Sequence, residues 1–229
     1  MVKGDYIARS GYVLIINNHP IPSDLERNEK SVFAYRFGFT TREDIYLTTS
    51  DMLKALTDTS QRDFSNNDCF CCIIGSSGTK HGICGTDDKP IDIKTITSLF
   101  TSDKCPSLDG KPKIFVLMPI NKFEYLSHAF LSWKYNVPTA EDIEARSMLR
   151  HLVISEKDFL VWNCFGEIPS SSYRMSYTRL RRDWLGCLLE GMHLREAIAA
   201  VASSRLGIVE PSSLLSTLQK NVFFEPAPF

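Results

Sequence analysis

The chain has 229 residues, 43% of them hydrophobic and 23% charged, with a formal net charge of −1 at pH 7. That is enough apolar material for one sizeable core, and a single α/β unit of this length is common. The near-zero charge gives no electrostatic reason to expect nucleic acid or an anionic membrane as a partner. No apolar run reaches the ~20 residues of a membrane-spanning helix, and the N-terminus lacks the layout of a signal peptide, so a cytoplasmic location is expected.

In chain order, strands are expected at 12–16, 69–74, 113–118 and 158–164. Each run is short and nearly continuously apolar, as strands covered on both faces are. A helix capped by Ser50 should run to about Leu56, with Met52, Leu53 and Leu56 on one face. Pro90 precedes an amphipathic stretch through Ile91, Ile93, Ile96, Leu99 and Phe100. Thr139–Asp142 reads as the start of a helix carrying Ile143, Met148, Leu149 and Leu152. A late helical pair is expected at 184–192 and 194–206, closed by Gly207. Alternating strands and helices imply a mostly parallel sheet with helices on both faces.

The seven cysteines form no disulfide pattern, because the count is odd and Cys69, Cys71 and Cys72 share one apolar run. Cys69 and Cys72 make a C-x-x-C, but no second pair follows at zinc spacing, so buried thiols are expected and a metal site is not. Gly75–Gly78 could turn its N–H groups toward an anion. His81 nevertheless follows Lys80 where a phosphate loop needs Ser or Thr. His19, His81, His128, His151 and His193 lie apart, with no ligand spacing. No nucleophile, base and orienting group stand together in the local sequence.

Several segments, in order, resemble the caspase family: LIINN at 14–18, DCFCCII at 68–74, GICGTD at 82–87 and LFTSDKCPSLDGKPKIF at 99–115. Asp158–Leu160, Ser172–Arg174, Trp184 and SLLSTLQKNVFF at 213–224 continue the match. The resemblance implies one caspase-like α/β domain over 1–229, with a mostly parallel six-stranded sheet flanked by helices on both faces. It would comprise a large-subunit-like part (1–121), a linker (122–157) and a small-subunit-like part (158–229).

The same resemblance identifies what is missing. The family's nucleophile signature, Gln-Ala-Cys followed by a variable residue and Gly, falls on Met118-Pro119-Ile120-Asn121-Lys122. Ile120 therefore stands at the cysteine position, with no lone pair and no route to a thioester. The family's Ser-His-Gly falls on Ser76-Ser77-Gly78, so Ser77 replaces the histidine, and serine is no efficient general base near neutral pH. A substrate-pocket remnant is expected at Arg174, Met118 and Gly78. Arg174 matches an arginine that grips the substrate aspartate, while Met118 replaces a glutamine beside it. An ordinary surface arginine, like the neighbouring Arg179, Arg181 and Arg182, is an equal reading of Arg174. Arg27 lacks the family's Gly-Thr-Asp context and inherits no role. In the linker, Asp142 precedes bulky Ile143, so this segment should stay uncut. No cofactor is implied.

The expectation is a pseudoenzyme that regulates an active caspase of the same organism in a heterodimer, hence apoptosis or cell-death signalling. Activation is preferred to inhibition, and a homodimer is the other pairing option. The seam would be an edge strand at 213–218, with Leu214, Leu215, Ser216 and Thr217 at the interface. The alternatives are a decoy for caspase inhibitors or substrates, and a residual hydrolase using Ser77.

Overall fold

The computed structural model describes residues 4–18, 29–119, 149, 152–164, 173–203 and 213–228, with backbone only for 119, 173–180, 203 and 213. At its centre is a six-stranded sheet. Its strands are β2 (Gly11–Asn17), β3 (Thr40–Ile45), β4 (Cys69–Ser76), β8 (Lys113–Pro119), β9 (Phe159–Asn163) and β10 (Ser213–Ser216). The spatial order is β10-β9-β8-β4-β2-β3. Every neighbouring pair is parallel except β10 against β9. Outside it, β1 (Tyr6–Ala8) pairs with β11 (Val222–Phe224), and β5 (Gly78–Thr79), β6 (Gly82–Cys84) and β7 (Pro90–Ile91) form a small sheet.

Strand alternation divides the apolar side chains between two cores. Val13, Ile15, Cys71, Ile73, Val116 and Trp162 join one, with Phe33, Trp184, Leu188 and Ile198. Leu14, Ile16, Phe70, Cys72, Phe115 and Val161 join the other, with Met52, Leu56, Ile96 and Phe100. The first core is covered by α1 (Glu29–Ser31), which continues as a π-helical turn over Val32–Arg36, and by α4 (Tyr173–Leu189) and α5 (Leu194–Ser203). The second lies under α2 (Thr49–Ser60) and α3 (Ile93–Ser98). Both faces of the sheet are thus buried, which is why its central strands read as unbroken apolar runs.

The structure departs from the sequence-based elements in informative places. β3 has the sequence TTREDI and no apolar run; as an edge strand it is only partly buried, so nothing in its pattern marked it. Thr48, not Ser50, caps α2, its hydroxyl accepting from Asp51 N at 3.2 Å. Ile91 belongs to β7 rather than to a helix, and α3 begins after Asp92, which accepts from Lys94 N. The helix expected from 184 starts at Tyr173. Thr139–Asp142, Leu206 and Gly207 lie outside the described residues.

Candidate functional site

In a parallel sheet the crevice at the carboxyl ends of the strands is where side chains from neighbouring loops converge. Here β4 and β8 end side by side, with Gly75 opposite Met118 and Ser76 opposite Pro119. The two sequence-derived dyad positions, Ser77 and Ile120, directly follow these paired ends. Ile120 itself lies outside the described residues.

Around Ser77 the structure is held tightly. Ser76 is 1% exposed, and its hydroxyl donates to Cys84 O at 2.5 Å while accepting from Asn18 Nδ2 at 3.0 Å. Asn18 also brackets Leu47, donating to its carbonyl at 3.2 Å and accepting from its N–H at 2.7 Å. One buried amide thereby ties the end of β2 to the end of β4 and to the entry of α2. Ser77 is 8% exposed, and its carbonyl accepts from Cys84 N at 2.8 Å. Gly78 pairs with Ile83 in the small sheet. The Gly75–Gly78 run is therefore strand on both sides of Ser77, and Gly75 O is already taken by Asn18 N.

The turn after β6 is fastened to α2. A Cβ at Gly85 would sit 2.1 Å from Thr49 N, so only glycine lets these backbones approach. Asp87 Oδ1 accepts from Thr49 N at 2.8 Å and from Thr49 Oγ1 at 2.7 Å. Those bonds, the hydroxyl's first and then the amide's, hold the Asp87 carboxyl below its ordinary range.

Of the expected pocket remnant, Met118 is 1% exposed and packed in the core beneath α4 and α5, while Gly78 is half-buried. Arg174 stands in the first turn of α4, and its side chain lies outside the described residues. Arg181, one of its expected surface neighbours, is instead buried at 9% exposure. Its Nε donates to Glu29 Oε1 at 2.5 Å and its Nη2 to Oε2, a two-pronged pair joining α4 to α1. Burial, reinforced by the Glu29 charge, pushes the nearby Cys164 thiol well up. Cys69, Cys71, Cys72, Cys84, Cys105 and Cys164 are all free and buried, and Cys187 is partly so.

At the opposite edge, β10 pairs antiparallel with β9, Leu214 opposite Trp162 and Leu215 opposite Val161. Leu214 is 44% exposed; Leu215 is half-buried and Leu218 closes the core. Ser216 Oγ accepts from Arg195 Nη2 at 2.9 Å. Thr217 is occupied internally: its hydroxyl donates to Glu156 O at 2.8 Å and accepts from Phe159 N at 3.0 Å. Of the four expected interface residues, Leu214 presents the largest apolar surface outward.

Asn18 and the Arg181–Glu29 pair were not recognised from the sequence as site-building residues. Asn18 stands inside the LIINN run, directly after a buried strand, a place where a polar residue signals a structural task. For the ion pair no local signal exists.

The class is therefore a doubly covered, mostly parallel α/β sheet with one antiparallel edge strand, in which β4 and β8 end side by side. Residues 10–118 match the family model of the caspase domain, and the six-stranded, mostly parallel sheet with helices on both faces agrees with that match. Caspase-8 of Mus musculus is 36% identical over 126 residues, covering 47% of this chain and 26% of that protein. Caspase-6 of Gallus gallus is 40% identical over 92 residues (40% and 30%). Caspase-3 of Oryctolagus cuniculus is 34% identical over 125 residues (50% and 44%). The matched regions thus span less than half the length of each of these relatives.

Proposed function

We propose that this chain is a catalytically silent caspase homologue that regulates an active caspase by pairing with it along β10, and so acts in apoptosis or cell-death signalling. The chemical half rests on the residues at the dyad positions. Ser77 offers no base, and Ile120 offers no nucleophile. The nearly buried position of Ser77 and the engaged Ser76 hydroxyl do not favour a hydrolase built on either serine.

The pairing half is carried by the contrast between the two edges of the sheet. β3 is guarded by charge: Arg42 pairs with Asp44 at 2.8 Å, and Glu43 with Lys30 at 3.6 Å. Such side chains discourage edge-to-edge pairing. β10 carries Ser-Leu-Leu-Ser, with Leu214 outward and no charged side chain along its length. A second strand added there would extend the sheet through main-chain hydrogen bonds, with Leu214 packed in the seam.

The test is co-expression with each caspase of the same organism, followed by co-purification and a peptide-cleavage assay. Leu214→Arg should fold as the parent does, because Leu214 is already exposed, yet lose caspase binding and any effect on cleavage. Leu215→Arg is a poorer probe, since its cross-strand neighbour Val161 is fully buried. A folded Leu214→Arg chain that modulates the partner undiminished would rule this edge out. Of the two signs, activation is the one proposed: a rigid, uncut partner orders the neighbouring catalytic loops.

A further inference from the structure

Among the tyrosines whose side chains are described, Tyr46 stands apart. Tyr6 is tied by its hydroxyl to Asp68 O at 2.6 Å, and Tyr12 is 4% exposed. Tyr35 is 82% exposed but lies in the π-helical turn, where its neighbours are coiled and not extended. Tyr46 is 61% exposed and follows β3, an edge strand with one side unpaired in the sheet order. Its φ is +55°, which a bulky residue rarely adopts. Strand alternation puts Glu43 and Ile45 on the outward face, so a continued strand would turn Tyr46 inward. The positive φ breaks that alternation and leaves Ile45, at 50% exposure, and Tyr46 outward together. Both main-chain groups of the next residue, Leu47, are gripped by Asn18, which fixes this display. Backbone strain held by a buried clamp, with an aromatic ring exposed as the result, is a pattern that points to function.

We propose that Tyr46 is a phosphorylation site, read by a protein tyrosine kinase that docks an extended lead-in of acid followed by an apolar β-branched residue. Glu43 and Ile45, outward on one face of β3, supply that lead-in. The Glu43–Lys30 pair is long, at 3.6 Å, and only partly buried, so it contributes little to stability and Glu43 can be given up to a cation on the kinase. In the transfer, Tyr46 Oη attacks the γ-phosphorus of a magnesium-bound nucleoside triphosphate. The Oη–P bond forms and the bridging O–P bond breaks. The nucleoside diphosphate leaves with that electron pair, and the phenolic proton passes to the kinase's catalytic carboxylate. The resulting dianion stands two residues before Thr48, the N-cap of α2, where the positive end of the helix dipole tolerates negative charge. The fold therefore accommodates the product.

The experiment incubates the folded chain with magnesium ATP and a tyrosine kinase catalytic domain that accepts poly(Glu,Tyr), then maps phosphate by peptide mass spectrometry. The expected result is modification at Tyr46, lost in Tyr46→Phe and kept in Tyr35→Phe. Glu43→Gln should lower kcat/KM for the kinase by roughly tenfold, as the loss of one charge-assisted contact implies. No incorporation, undiminished incorporation in Tyr46→Phe, or modification of Tyr46 only in urea would overturn the proposal. An unchanged rate for Glu43→Gln would overturn the acidic lead-in.

Discussion

On the proposed reading, Ser77 and Ile120 bear on chemistry, while one buried ion pair bears on stability. A catalytic unit is strongly non-additive, so restoring one member restores little. Ile120→Cys alone should leave the cleavage of aspartyl peptides at the buffer level, because Ser77 still offers no base. Adding Ser77→His should raise it measurably but modestly, since Met118 and Pro119 stand where the resemblance places the family's Gln-Ala and Pro119 fixes its own φ. Turnover by the parent that disappears in Ser77→Ala would refute the silent reading. The Arg181–Glu29 pair carries stability instead. Both partners are nearly buried, Glu29 at 2% exposure, and removing one strands the other charge in the core. Arg181→Ala should cost about 3–5 kcal/mol in urea denaturation. The double change Arg181→Met with Glu29→Met should recover most of that loss, because replacing both partners leaves no unpaired charge.

At the level of elements, α2 offers a pH-dependent contact. Asp87 accepts two hydrogen bonds from Thr49, and its folded carboxyl titrates below the ordinary range. A group depressed in the folded state contributes stability above its unfolded pKa of about 3.9, and that contribution is lost as pH falls through the lower folded value. Asp87→Asn should therefore lower Tm at neutral pH, with the gap to the parent closing in acid; a gap constant with pH would count against this account. The strands β2, β4, β8 and β9 were legible in the sequence because burial on both faces leaves no polar residue to break the apolar run. β3 was not, since Thr40–Ile45 faces water on one side and carries charge to guard its edge. β7 absorbed Ile91 because a two-residue strand is too short to show a period. β10 is only four residues long, and the resemblance of 213–224 to caspases, not its own pattern, marked it. Within the site, Ser77 and Gly78 were placed by the same resemblance. Arg181 was misread because its partner Glu29 is 152 positions away, a distance over which spacing carries no signal.

For the whole molecule, the deciding connection is the one from β8 to β9. These strands are parallel neighbours, Ile114 opposite Leu160, so the chain leaves β8 at one end of the sheet and returns to β9 at the other. The return is anchored before β9 begins. Glu156 accepts from Ser102 N at 3.0 Å and Ser102 Oγ at 2.7 Å, and stands 3.5 Å from the buried Lys113 ammonium. Thr217 holds the same residue through its carbonyl and bonds the first amide of β9. Two expectations follow from this architecture and from the linker sequence. The parent chain should remain in one piece with a low concentration of active caspase, since Asp142 is followed by bulky Ile143; a clean cut within 122–157 would revive a maturation step. If a cleavable site is then placed at 142–143 by Ile143→Gly and cut, the two pieces should co-elute on a sizing column and separate only in denaturant. β9 is paired on both sides, with β8 from the first piece and β10 from the second, so its buried face cannot be released without opening the core. Dissociation of the cut chain under native conditions would show that the covalent linker, and not the sheet, holds the two parts together.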